Sequence, residues 1–135
     1  MAKKITEIEG IGPVYEGKLA NAGIKTVEAL LEKGATKSGR KKIATESDID
    51  ESRILDWVNM ADLFRINGVA SQFAELLKAA GVDTVKELRT RNAENLHAKL
   101  VEVQAEKKIT RTVPGLSQVV GFIEQAAALE PLVTY

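Results

Sequence analysis

The chain has 135 residues, of which 44% are apolar, so it can form the core of one ordinary domain or of two small ones, and wholesale disorder is excluded. Its 19 basic and 19 acidic residues balance, so no net positive charge marks it as a dedicated nucleic-acid binder. The absence of cysteine excludes disulfides, thiolate nucleophiles and cysteine-ligated zinc.

The start of the chain carries Lys3 and Lys4 but no apolar stretch after them, which indicates that no secretory signal is present. No uninterrupted apolar run approaches the ~20 residues that a membrane span needs. We therefore expect a cytoplasmic protein that does not associate with a membrane.

The pattern of caps and breakers predicts helices joined by short turns. Pro13 begins a helix that runs to Ala22, and Gly23 supplies the left-handed residue that ends it. Thr26 then caps the next helix. Similar signals continue to a last helix that opens at Leu116, and no segment alternates long enough to predict a strand.

An internal repeat divides the chain. Residues 8–12 (IEGIG) are matched 58 positions later by residues 66–70 (INGVA), and the match continues at the same offset to Leu30 and Leu88. Trp57 and Phe122 are matched at a longer offset and are predicted to be the buried anchors of their halves. The sequence therefore predicts two units, residues 1–62 and 63–135.

Residues 5–31 resemble the helix-hairpin-helix motif, in which a turn of the form apolar-x-Gly-apolar-Gly joins two helices. The residues that carry the resemblance are Ile8, Gly10, Ile11, Gly12, Leu19, Gly23, Ile24, Thr26 and Leu30. Residues 63–89 resemble a degenerate copy. The resemblance implies an all-α fold, SAM-domain-like, with two tandem repeats related by an approximate two-fold axis, as in DNA repair and recombination proteins. The whole chain is also similar to an uncharacterised bacterial family, a domain of unknown function.

The motif implies a way to bind phosphate. Main-chain N–H groups of the turn, at the N-terminus of the second helix, form an anion site that does not read base identity. The resemblance also implies a monovalent cation at the first hairpin; no other cofactor is expected. In the second hairpin Ala70 replaces a glycine and would be strained if its φ were positive. The alternative is that the turns only pack helices together, which explains the first turn equally well and is favoured for the second.

A second candidate surface is basic. The segment from Lys37 to Lys42 also contains Arg40 and Lys41, has no acid, and is typical of a loop leading into a short helix. It could contact several phosphates. The alternative is a solvated loop whose charge is offset by the acidic residues that follow.

No catalytic constellation is evident. The only histidine, His97, has no second metal ligand three or four residues after it, and the acidic run at 48–51 lacks the glycine and distant glutamate of a calcium loop. No Walker loop, dinucleotide fingerprint or nucleophile elbow occurs. We expect neither an enzyme nor a metal site.

The sequence therefore predicts sequence-independent binding of nucleic acid, DNA first, through backbone phosphates. The alternative is a protein–protein interaction or scaffold module of the same fold; no small-molecule substrate is expected. The candidate nucleic-acid-binding residues are Gly10, Ile11, Gly12, Lys37, Arg40, Lys41, Lys42, Gly68, Val69 and Ala70.

Overall fold

The computed structural model describes residues 3–135, which divide into two compact units; residues 1 and 2 of the predicted first repeat lie outside them. The first unit contains the chain up to Asp62 together with Leu132–Tyr135, and the second unit runs from Leu63 to Pro131. Every regular element of the described residues is helical, apart from one isolated antiparallel bridge between Lys4 and Thr26. The all-α prediction is confirmed.

The end of the chain differs from the predicted boundary, which assigned residues up to 135 to the second unit. Val133 is buried in the first unit, and the N–H of Thr134 donates to the Ala35 carbonyl at 2.8 Å. Main-chain pairing of this kind depends on a tertiary contact and leaves no pattern in the sequence.

The first unit contains a short 3-10 helix, Ile5–Glu7, followed by α1, Pro13–Asn21; α2, Val27–Gly34; α3, Lys37–Ser47; and α4, Glu51–Leu63. The first two α-helices begin at signals that the sequence predicted. Pro13 occupies the first position of α1, where its missing N–H costs no bond. Gly23, with a φ of 77°, follows the end of α1. Thr26 caps α2, since its Oγ1 accepts from the N–H of Ala29 at 3.0 Å.

The second unit is built by the same local chemistry. Its helices are α5, Ser71–Ala79; α6, Val85–Leu88; α7, Ala93–Lys107; and α8, Leu116–Ala128. Thr84 caps α6 and Asn92 caps α7, each by accepting from the N–H three residues later. The connector before α8 is fixed by Gln104, whose Oε1 accepts from the N–H of Thr110 at 2.9 Å.

Each unit has an aromatic residue in its core. Trp57 is 5% exposed and lies edge-on to Tyr15, with ring centroids 5.1 Å apart. Phe122 is 4% exposed and lies beside Phe73, with ring centroids 6.4 Å apart. The prediction that Trp57 and Phe122 are buried is confirmed.

Several local features recur 58 residues apart. Each hairpin turn has a glycine of positive φ, and a second such glycine follows the helix after the turn. The next helix is capped by threonine, and a cation donates to the carbonyl of the second glycine. The pairs are Gly10 and Gly68 (both φ 95°), Gly23 and Gly81 (77° and 93°), Thr26 and Thr84, and Lys33 and Arg91.

Gly39 allows α3 to lie close to α2, and Gly34 allows α2 to lie close to α4. A β-carbon on Gly39 would clash with the main-chain oxygen of Lys33, and one on Gly34 would lie 2.5 Å from Cγ2 of Val58. Gly17 of α1, in contrast, has no atom within 4 Å of its β-carbon position. Gly39 and Gly34 are therefore required by packing, whereas Gly17 is not.

We expect Gly39→Ala and Gly17→Ala to have opposite effects on stability. Gly39→Ala should lower the free energy of unfolding by about 3 kcal/mol, because the new methyl group meets main-chain atoms that cannot rotate away. Gly17→Ala should raise it by about 0.5–1 kcal/mol, since alanine is the better residue within an exposed helix. Urea unfolding followed by circular dichroism measures both. Equal effects of the two substitutions would contradict the close approach at Gly39.

Candidate nucleic-acid interface

The first hairpin turn is held at the surface by buried residues on either side. Ile8 and Ile11 are buried, and the Ile8 carbonyl accepts from the N–H of Ile11 at 3.2 Å. Gly10, which lies between them, and Gly12, which follows Ile11, are exposed. Gly10 has a φ of 95°, which an L side chain rarely adopts, whereas Gly12 is extended with a φ of −95°. The turn therefore presents main chain rather than side chains.

The N-terminus of α1 carries no side-chain cap. Its first intrahelical bond runs from Glu16 N–H to the Gly12 carbonyl at 2.9 Å, so the N–H groups of Val14 and Tyr15 precede it. A β-carbon on Gly12 would meet nothing within 4 Å, which leaves the approach open. The helices whose first turns are capped by a side chain include those that follow Thr26, Thr36, Thr84 and Asn92.

The second hairpin has nearly the same backbone. Gly68 has a φ of 95°, and Ala70 has φ −113° and ψ −171°, close to the conformation of Gly12. Ala70 is therefore unstrained, because the positive φ falls on the first glycine of the turn and not on the second. The helix after it also lacks a side-chain cap, and a surface depression of about 370 Å³ adjoins it.

The surroundings of the second turn differ. Gln125 of α8 pins it, since its Oε1 accepts from the N–H of Asn67 at 2.9 Å and its Nε2 donates to the Asn67 carbonyl at 3.2 Å. Phe122 lies under Gly68, with Cε1 3.1 Å from a β-carbon position there. Val69 is buried, as Ile11 is. The second turn is thus more tightly packed by side chains of its own unit.

The whole basic segment is helical, whereas the sequence indicates a loop leading into a short helix. Thr36 caps α3 by accepting from the N–H of Gly39 at 3.1 Å, so Lys37 already belongs to its first turn. Lys37, Lys41 and Lys42 are exposed. They lie near the positive end of the helix dipole, with no acid in the first turn.

Arg40 does not share this surface. It is 3% exposed, and its guanidinium donates to the carbonyls of Gly34 at 2.9 Å, Ala35 at 3.1 Å and Thr134 at 2.6 Å. These bonds satisfy the C-terminal end of α2 and hold the end of the chain. Arg40 is therefore a structural cation, and the basic surface consists of Lys37, Lys41 and Lys42.

The first hairpin has neighbours that the sequence did not indicate. The Arg53 guanidinium lies over the ring of Tyr15, with its carbon 5.4 Å from the ring centroid. A β-carbon on Gly10 would lie 3.6 Å from Nε1 of Trp57. Arg53 and Trp57 are four residues apart on α4, so helical spacing could have placed them on one side. No local pattern pairs either of them with Tyr15.

Acidic side chains also lie in the first hairpin segment. Glu9 is exposed directly before Gly10, and Glu16 is exposed in the first turn of α1. The Glu16 carboxylate is favourable for the helix dipole but repels an approaching anion. The exposed main chain of this turn is therefore not accompanied by a positive surface from its own segment.

Comparison with models of protein families matches residues 9–129 to a domain of unknown function, DUF4332. The chain belongs to this family. No curated protein and no solved structure matches it. The family assigns neither an activity nor a ligand, so the helix-hairpin-helix resemblance and the monovalent cation remain predictions.

Clusters of potential metal ligands and membrane-spanning helices are absent from the described part of the chain. Residues 3–135 contain no group of three or more potential metal ligands. None of the helices in that range has the length and apolar character needed to cross a bilayer.

We expect Arg40→Met to destabilise the protein and Lys41→Met to leave it nearly unchanged. Arg40→Met should lower the free energy of unfolding by about 2–3 kcal/mol, because main-chain acceptors lose their charged donor. Lys41→Met, which removes the same charge from the exposed side of α3, should stay within ~0.5 kcal/mol. Thermal or urea unfolding distinguishes them. A near-native Arg40→Met protein would show that the guanidinium does not hold these carbonyls in solution.

Proposed function

We propose that this chain binds nucleic acid, DNA first, without sequence preference, through phosphates at tandem helix-hairpin-helix turns. The observation that carries the proposal is an exposed turn followed by a helix without a side-chain cap, at residues 10–14. Main-chain N–H groups at a helix N-terminus suit a phosphate oxygen and are blind to the base. No catalytic role is proposed.

The recurrence of turn geometry supports the tandem arrangement. Gly10 and Gly68 share a φ of 95°, and Gly12 and Ala70 share an extended backbone, so both turns can offer the N–H groups at the second and third positions of the helix that follows. A local duplication explains this agreement more simply than chance does. The packing around the second turn makes the first turn the better candidate.

Electrostatics sets the expected strength of binding. The chain has no net charge, and the first hairpin carries Glu9 and Glu16. Non-specific affinity comes mainly from phosphate neutralisation by cations. We therefore expect weak, strongly salt-dependent binding in which Lys37, Lys41 and Lys42 take part.

A protein-interaction role is the second candidate, and one residue favours it. Val14 is 72% exposed at the first turn of α1, beside the open Gly12. An apolar side chain in this position adds nothing to phosphate binding but suits an apolar partner surface. The two roles make different predictions for nucleic-acid titrations.

We expect wild-type protein to bind labelled DNA with an affinity that falls steeply with salt and depends little on sequence. Gly12→Val should weaken binding about tenfold by blocking approach to the main chain, the loss expected for one charge-assisted hydrogen bond. Joint Lys37→Gln, Lys41→Gln and Lys42→Gln substitutions should lower the salt slope by ~0.7–0.9 for each phosphate that is no longer neutralised. Fluorescence anisotropy with single- and double-stranded DNA and RNA at several salt concentrations measures all of these.

Gly115→Val is the matched control for Gly12→Val. Gly115 also precedes a helix and has space for a β-carbon, but its N–H is already bonded to Gln118 at 2.9 Å. It should bind as wild type does. No binding by wild-type protein at about 100 µM, the weak end of non-specific affinity, would overturn the proposal and favour a protein partner.

Glu16→Gln should strengthen nucleic-acid binding, since it removes a negative charge from the helix end that approaches phosphate. We expect an increase of about two- to fivefold at low salt, vanishing as salt screens the carboxylate. Glu94→Gln, in the first turn of α7, is the control and should have no effect. If Glu16→Gln instead binds nucleic acid more weakly than wild type does, the ligand lies away from this turn.

A further inference from the structure

The Arg53 side chain is exposed, and its position is set by an aromatic ring. Its guanidinium carbon lies 5.4 Å from the centroid of Tyr15, and Tyr15 is in turn supported by the buried Trp57 at 5.1 Å. A cation–π contact of this kind holds the guanidinium over the ring while its N–H groups can still donate to another acceptor. Among residues 3–135, no hydrogen bond or ion pair occupies those N–H groups.

This ordered cation lies beside the first hairpin turn. Tyr15, on which it stacks, is the third residue of α1, and its main-chain N–H belongs to the uncapped helix end. Trp57 contacts the other end of the turn, with Nε1 3.6 Å from the β-carbon position of Gly10. No acceptor among the described residues bonds to the indole N–H of Trp57. Donors of two kinds thus adjoin the exposed main chain.

The charge of the hairpin segment makes such a cation necessary for an anionic ligand. Glu9 and Glu16 are both exposed there, and α1 has a basic residue only in its last turn, Lys18. Main-chain N–H groups alone would have to hold a phosphate against two nearby carboxylates. A guanidinium offsets that repulsion and can donate two parallel hydrogen bonds to phosphate oxygens.

We propose that Arg53 is the side-chain phosphate ligand of the first hairpin, held in place by Tyr15, and that it makes this turn the phosphodiester site of the chain. The inference rests on the proposed function and names the residue that gives the site its charge. It differs from the basic surface of α3, which would contribute through diffuse attraction alone.

The second unit lacks this arrangement. Its aromatic pair, Phe73 and Phe122, carries no polar atom. When the two halves are aligned so that Trp57 matches Phe122, Arg53 matches Gln118, the third residue of α8. The Oε1 of Gln118 already accepts a hydrogen bond from the N–H of Gly115. The two hairpins therefore share a backbone but not a cation, and the first should be the tighter phosphodiester site.

Arg53→Gln tests the proposal, with Arg89→Gln as the matched control. Arg89 is also exposed at a helix end, with no aromatic partner in the described part of the chain. Arg53→Gln should weaken binding of a labelled DNA about tenfold and lower the salt slope by ~0.7–0.9. Arg89→Gln should bind as wild type does. Arg53→Lys keeps the charge but loses the planar fork, so its affinity should lie between the two.

Tyr15→Phe and Tyr15→Leu test the role of the ring. Tyr15→Phe retains the face on which the guanidinium lies and should bind as wild type does, whereas Tyr15→Leu should weaken binding while keeping the salt slope. Thermal unfolding of each variant identifies any loss of folding. If Tyr15→Leu does not fold, the comparison of Arg53→Gln with Arg53→Lys on the exposed side of α4 still decides.

The outcomes separate this inference from the proposed function. If wild-type protein binds no nucleic acid, both are wrong. If wild type binds, Gly12→Val weakens binding and Arg53→Gln behaves as Arg89→Gln does, the hairpin function stands and the assignment of Arg53 is overturned. If Arg53→Gln weakens binding and Gly12→Val does not, Arg53 is a ligand outside the hairpin, and the proposed site is wrong.

Discussion

Both hairpin turns depend on a glycine that takes a φ of 95°, at Gly10 and at Gly68. An L residue with a side chain rarely adopts this conformation, because its β-carbon meets the following carbonyl. In the first turn the reversal lets Ile8 and Ile11 enter the core while the main chain between them stays at the surface. The exposed N–H groups of the next helix, and the proposed phosphate site, follow from that one backbone angle.

The basic residues of this chain are divided between structural and exposed positions. Lys33, Arg40 and Arg91 each donate to main-chain carbonyls at the end of a helix, where the dipole favours a cation. Such residues contribute to a count of positive charge but offer little to a ligand. In a chain with no net charge, the remaining cations therefore determine where an anion can bind.

The two units show how similar turns can differ in chemistry. Around the first turn the aromatic pair is Tyr15 and Trp57, and a guanidinium lies on the ring. Around the second the pair is Phe73 and Phe122, and the side chain of Gln125 closes on the turn itself. Backbone geometry is common to both, because glycine and apolar spacing determine it. The polar groups that could recognise a ligand are not common, because they come from distant helices.

Local signals in the sequence determined the helices. Pro13, Gly23, Thr26 and Asn92 act on residues within one turn of themselves, so each boundary could be read without knowing the fold. Burial of Trp57 and Phe122 was predicted from their matched positions in the two halves of the repeat. One local signal was misread. Thr36 caps a helix that begins at Lys37, although the glycine and lysines of that segment suggested a loop leading into a short helix.

Only the tertiary structure decided which candidate residues remain available to a ligand. The Arg40 guanidinium donates to the carbonyl of Thr134, 94 positions later in the chain, and is therefore not available to a ligand. Ala70 is tolerated because the backbone places positive φ on the preceding glycine. Arg53 meets Tyr15 only once α4 has packed beside α1. The sequence by itself determined the helices and turns, since those depend on neighbours along the chain; the availability of each side chain depends on partners that folding alone brings together.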